Sequence, residues 1–174
     1  MSIDDIGALL NAFAAVDISH LRSLCCDRYH PSLFQAVRTI RDLTLIADAK
    51  YISISKIYPE GMTPVLTSSL QNLSLNVDRL VSLSSFISRL GNFSTAIALK
   101  RISITVCSDF SGTAFWQHTD SLLSAAPAVE EISFNLRRGI SRISPEGTLR
   151  EYLPVIDAKG ILKITLLNRD LRLQ

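Results

Sequence analysis

Apolar positions along this chain recur in a six-residue frame, L-x-x-L-x-L, that returns at steps of about thirty residues. The frame reads L-R-S-L-C-C at 21–26, I-R-D-L-T-L at 40–45 and L-Q-N-L-S-L at 70–75. It returns as L-K-R-I-S-I at 99–104, V-E-E-I-S-F at 129–134 and I-L-K-I-T-L at 161–166. Its fourth residues are Leu24, Leu43, Leu73, Ile102, Ile132 and Ile164, separated by 19, 30, 29, 30 and 32 positions. Such a step marks one supersecondary unit stacked on copies of itself.

Side chains alternate faces along a strand, so the fourth residue and those two and four beyond it share one face. In the third to fifth copies these are Leu73, Leu75 and Val77, then Ile102, Ile104 and Val106, then Ile132, Phe134 and Leu136. All are apolar, which predicts a buried face. The last copy has Ile164, Leu166 and Asn168, and its polar third member predicts a strand that ends early. The opposite face carries Asn72, Ser74 and Asn76, then Arg101, Ser103 and Thr105, then Glu131, Ser133 and Asn135. One column of this face is small and mostly hydroxylated: Cys25, Thr44, Ser74, Ser103, Ser133 and Thr165. A second column holds Ser23, Asp42, Asn72, Arg101, Glu131 and Lys163. Its last three members alternate in sign, which favours neighbouring strands in sequence order, because opposite charges facing across a sheet are stabilising. These nine polar residues of the third to fifth copies are the candidate partner-binding surface, since a stacked array works through the exposed face of its sheet.

Helical spacing fills the segments between the strands. Leu83, Phe86, Ile87, Leu90 and Phe93 form one stripe, with Gly91 at its end. Phe115, Thr119, Leu122, Leu123 and Ala126 form the next, opened by Ser111 or Thr113 and closed before Pro127. Leu149, Tyr152, Leu153 and Ile156 form another, with Ser144 as N-cap, Pro145 in the first turn and Gly160 as the stop. A shorter stripe, Leu33, Phe34, Val37 and Ile40, follows Pro31. Strand, helix, parallel strand is the expected order, with right-handed crossovers. Residues 2–13 predict an amphipathic N-terminal helix, a cap within 1–17. Residues 46–69, with Pro59, Gly61 and Pro64, predict a short extra strand and a loop. The expected organisation is a single domain over 1–174, with five to six strand-helix units over 18–167 and a tail at 168–174.

Composition narrows the function classes. The apolar and charged fractions, 47% and 20%, are ordinary for a globular protein. A net charge of +2 implies no nucleic-acid surface, and no apolar run has the length of a membrane span. The acidic start M-S-I-D-D fits neither a secretory nor a mitochondrial leader. Cys25, Cys26 and Cys107 are odd in number and read as free thiols, which implies a cytoplasmic or nuclear protein. Neither G-x-G-x-x-G nor G-x-x-x-x-G-K occurs, so no phosphate loop is expected, and no G-x-S-x-G frames a serine. His20, His30 and His118 stand in no metal-ligand spacing with the cysteines. His118 and Asp120 are two apart on a helix and do not face each other. Glu130 and Glu131 diverge on a strand and are no acid–base pair. Arg137, Arg138 and Arg142 form a small basic cluster, and Trp116 is read as half-buried packing on the outer helix. No catalytic residue, metal site or cofactor is expected.

The L-x-x-L-x-L strands with intervening helices resemble leucine-rich repeats of the long, helix-containing kind. The stretch F-W-Q-H-T-D-S-L-L-S-A-A-P-A-V-E-E-I-S-F at 115–134 joins a W-x-x-x-D-x-x-L helix, a proline and V-E-E-I-S-F. It resembles the C-terminal repeats of fungal F-box-like proteins from mushroom-forming species. The run E-Y-L-P-V-I-D-A-K-G-I-L-K-I-T at 151–165 is similar to their closing unit. The specific likeness covers residues 65–167. It implies an α/β solenoid arc with the parallel sheet on the concave face and helices on the convex face. It also implies a non-enzymatic substrate receptor in a Skp1–cullin–F-box ubiquitin ligase, where the F-box recruits Skp1 and the repeats hold a protein substrate. The chain carries no L-P-x-E-containing helical module, so Skp1 is an expected partner only if an F-box lies upstream. A regular asparagine ladder is also missing, the corresponding positions holding Tyr29, Asp48, Asp78, Cys107, Arg137 and Arg169. Two alternatives stand beside this reading. One is a small α/β enzyme whose open parallel sheet reverses its strand order, with Asp78, Asp109 and Arg137 at the strand ends. The other is a truncated gene product without retained activity.

Overall fold

Alternation of apolar and polar side chains in the recurring frame produces six short strands, each apolar on one side. The structure, a computed structural model, describes residues 21–26, 40–47, 68–77, 87, 90, 92–106, 113–137 and 145–167. The strands are β1 (Ser23–Cys26), β2 (Asp42–Ala47), β3 (Asn72–Val77), β4 (Arg101–Val106), β5 (Glu131–Arg137) and β6 (Leu162–Leu167). They form one parallel sheet in the order β1-β2-β3-β4-β5-β6. Parallel neighbours need crossover segments, and the thirty-residue step leaves room for one between strands. Helices α1 (Thr113–Ser124), α2 (Pro145–Tyr152) and α3 (Pro154–Ala158) lie in two of these segments.

Register follows the frame from β1 to β5. Leu24 stands beside Leu43, Leu43 beside Leu73, Leu73 beside Ile102 and Ile102 beside Ile132. Backbone bonds continue this alignment just before the strands: Gln71 N–H donates to Arg41 O at 2.8 Å, and Lys100 N–H to Gln71 O at 2.8 Å. The sixth strand departs from the expected alignment. Leu162, not Ile164, stands beside Ile132, and Ile164 stands beside Phe134. The true step is thirty residues here as well, and the expected step of 32 was a slip of two. A two-residue slip preserves the faces. It moves Lys163 into the column of Ser133 and Thr165 into the column of Asn135.

The apolar face is the core. Leu43, Leu45, Leu73, Leu75, Val77, Ile102, Ile104, Val106, Ile132, Phe134 and Leu136 are all buried. Each such side chain contributes about 1.5–3 kcal/mol of transfer free energy when fully buried. The helices cover this face. Trp116 of α1 is fully buried rather than half-buried, edge-on to Phe134 at 5.9 Å and stacked on Tyr152 at 6.3 Å. Thr119, Leu123 and Ala126 are buried as the stripe predicts. The expected single helix around Leu149–Ile156 is two. Pro154 removes a backbone donor and drives Leu153 out of helical geometry, so α2 stops and α3 restarts. Leu149, Leu153 and Ile156 nevertheless share the core. Gly160 follows α3 with φ +69°, the left-handed conformation that ends a helix at low cost for glycine.

Ile87, Leu90 and Phe93 of the preceding stripe are buried, and Phe93 opens a single 3₁₀ turn, Phe93–Thr95, capped by Asn92. The expectations for 2–13, 31–39, 48–67 and 168–174, and for Cys107, His20, His30, Asp78, Asp109, Arg138 and Arg142 lie outside the described residues. Among the described residues no helix is long and apolar enough to cross a membrane.

Candidate functional site

Because the apolar residues of the strands turn into the core, the residues between them gather on the other side of the sheet. Register then sorts them into columns running across the strands. Asp42, Asn72, Arg101 and Glu131 stand side by side at the strand starts. Thr44, Ser74, Ser103, Ser133 and Lys163 form the next column, and Ile46, Asn76, Thr105, Asn135 and Thr165 the third. All nine sequence-predicted site residues therefore lie together on β3, β4 and β5. Neighbouring strands are about 4.8 Å apart, so each column is a continuous strip, polar except for the exposed Ile46 in the third. From β2 to β5 the middle column holds only serine and threonine, which are shorter than the charged and amide residues of the first column.

Hydrogen bonds tie the strip together. Asn72 Nδ2 donates to Asp42 Oδ1 across β2 and β3. Asn135 Nδ2 donates to Ser103 Oγ at 3.0 Å, diagonally across β4 and β5. Lys163 Nζ donates to Glu131 Oε2 at 2.6 Å, so opposite charges do meet, although Lys163 stands beside Ser133 rather than beside Glu131. At the rim Lys100 and Glu130 approach to 3.4 Å. Asn72, Ser74, Asn76, Ser103, Thr105, Glu131, Ser133 and Asn135 are half-buried, and Arg101 is exposed. The guanidinium of Arg101 makes no hydrogen bond or ion pair among the described residues, although Glu131 stands next to it.

The face can accept and donate hydrogen bonds along its length and presents Arg101, a cation without an ion pair among the described residues, at the strand-start edge. Ser74 lies between Asn72 and Asn76, Ser103 between Arg101 and Thr105, and Ser133 beside Glu131, Asn135 and Lys163, while His118 is exposed on α1, away from this face. Among the described residues no cluster of His, Cys, Asp and Glu could hold a metal ion. Cys25, at the head of the middle column, is an exposed free thiol.

Two features escaped the sequence reading. Asp42 was placed in its column but not recognised as the acceptor that fixes Asn72. Asp120, dismissed as a helix neighbour of His118, is a buried carboxylate that accepts from Val155 N–H and Ile156 N–H at 3.0 Å each. The signal was present, since an aspartate on the apolar side of α1 needs donors, and Pro154 starts a helix with unpaired ones. Compared with protein-family models, with curated proteins and with solved structures, the chain matches none.

Proposed function

We propose that this chain is a non-enzymatic protein-binding module, a leucine-rich-repeat-like arc whose polar sheet face is the concave working surface and whose helices form the convex side. The observation that carries the reading is the strand order. Six parallel strands follow one another in sequence order, with equivalent residues in adjacent strands brought into register. Among the described residues this sheet has no point at which the order reverses, and such reversals are where open α/β sheets form ligand crevices. It offers instead a broad strip of polar side chains, suited to a protein surface.

The fungal F-box-like resemblance deepens this into a role: the substrate-recognition repeats of a ubiquitin-ligase receptor, cytoplasmic or nuclear, with Skp1 as a partner if an F-box stands upstream. The test is capture. Immobilised chain is offered an extract of its source cells beside a triple variant, Asn72→Ala with Arg101→Ala and Glu131→Ala. The expected result is a protein retained by the parent and lost by a triple variant whose thermal unfolding is still cooperative. Equal retention by a folded triple variant counts against the sheet face.

A further inference from the structure

The residues just before the strands form their own cross-sheet row. Arg41 N–H donates to Arg22 O at 2.8 Å, Gln71 N–H to Arg41 O, Lys100 N–H to Gln71 O, and Glu130 N–H to Lys100 O at 2.9 Å. Arg22, Arg41, Gln71, Lys100 and Glu130 thus stand side by side along one end of the sheet. At the β5 end the row is neutralised internally, because Lys100 pairs with Glu130. At the β1 end it is not. Arg22 and Arg41 are neighbours one strand apart, both exposed, and neither makes a side-chain hydrogen bond or ion pair among the described residues. Like charges facing each other across strands oppose folding, so their juxtaposition carries a cost that nothing within the described residues offsets. Arg101, two strands beyond Arg41 at the same end, is the third exposed arginine without a side-chain partner among the described residues.

We propose that this end of the sheet, over β1 to β4, binds an acidic segment of the partner protein, with Arg22, Arg41 and Arg101 receiving its carboxylates. The inference rests on the sheet-face reading and gives its partner a chemistry. Guanidinium groups match carboxylates in planar, two-bonded geometry. Three strand spacings separate β1 from β4, about 14 Å, which an extended segment crosses in about four residues. Acidic residues at alternate positions on one side of that segment meet the three arginines. A nucleic-acid backbone fits less well, because Asp42 next to Arg41 and Glu131 beside Arg101 interrupt the cations, which repels an unbroken polyanion more than a segment whose carboxylates are spaced by neutral residues.

The probe is a synthetic peptide of alternating glutamate and serine, titrated into the full chain at low ionic strength, where surface charge is least screened. The readout is nuclear magnetic resonance of the arginine side-chain N–H groups and of the backbone amides of Ser74, Ser103 and Ser133. Controls are the same peptide with glutamine for glutamate, and a short oligothymidine. The proposal expects the Arg22, Arg41 and Arg101 signals to move with the glutamate peptide and not with the glutamine peptide. It expects Arg22→Gln, Arg41→Gln and Arg101→Gln each to weaken binding by about fivefold. Equal binding of the glutamine peptide, tighter binding of oligothymidine, or still arginine signals overturns it. Movement of the serine amides without the arginines overturns the acidic partner and leaves the sheet-face reading standing. Retained capture by the folded triple variant strikes the sheet-face reading itself.

Discussion

The carboxylate of Asp120 accepts the N–H groups of Val155 and Ile156, so a residue of α1 closes the open N-terminus of α3. The return contact is Lys159 Nζ donating to Ser124 O at 2.7 Å, at the C-terminal end of α1. α3 is thus tied to α1 at both of its own ends, and both contacts place charge where helix termini favour it. Asp120→Ala leaves two donors of α3 without this acceptor in a poorly hydrated place, and we expect a loss of about 3 kcal/mol in urea denaturation. Asp120→Asn keeps one oxygen acceptor and should lose less, about 1 kcal/mol. Equal stabilities of parent and alanine variant would mean that water replaces the carboxylate. At this scale the sequence is legible where apolarity decides. Leu73, Ile102 and Ile132 were placed correctly from the frame alone, since burial follows from period-two alternation. Asp120 was not, because a buried aspartate is explained only by donors thirty-five residues away. Trp116 was underestimated for a similar reason: Phe134 and Tyr152 enclose it from two other elements.

Elements set the faces, and register sets who meets whom. In the last strand the frame I-L-K-I-T-L offers two alignments that bury the same side, because Leu162, Ile164 and Leu166 all have the right parity. Pattern alone does not choose between them. Hydrogen bonding places Leu162 beside Ile132, and Leu162 is correspondingly 7% exposed while Ile164 is only half-buried. Truncation separates the alignments. Leu162→Ala should cost about 2–3 kcal/mol and Ile164→Ala about 1 kcal/mol, measured by thermal or urea unfolding. The reverse order would restore the alignment that the 32-residue step suggests. The break between α2 and α3 was legible in principle, because Pro154 stands inside the predicted stripe and an internal proline interrupts a helix. Gly160 was read correctly as the stop. A Cβ there meets nothing within 4 Å, so Gly160→Ala tests backbone conformation alone, and a loss of about 1 kcal/mol is expected from its positive φ. No loss in the same unfolding experiment would remove the left-handed turn as the reason for glycine.

From β2 to β6 the described sheet follows from one step of 29–30 residues repeated, after a shorter step of 19 from β1 to β2. Thirty residues suffice for a strand and a returning crossover, and each return lays its strand beside the last, which gives β1 to β6 in sequence order. That order was predicted from the charge column, in which Arg101 and Glu131 do stand beside each other. The polar candidate site was legible for the same reason as the core: once the apolar face is fixed, its complement is fixed too. The pairings within it were less so. Lys163 reaches Glu131 from the neighbouring column, and Asn135 reaches Ser103 along a diagonal, contacts that depend on side-chain length rather than on period. Chemistry is the least legible level, since hydrogen-bonding columns suit many protein partners, and only the unpaired arginines narrow the choice. The most direct test of the central claim is a hydrogen–deuterium exchange footprint of the chain, free and loaded with the protein it captures. Added protection is expected on the strand peptides holding Asn72–Asn76, Arg101–Thr105 and Glu131–Asn135, with α1 unchanged. Protection confined to α1 and α2, with those strands unchanged, would contradict it and move the working surface to the helical side.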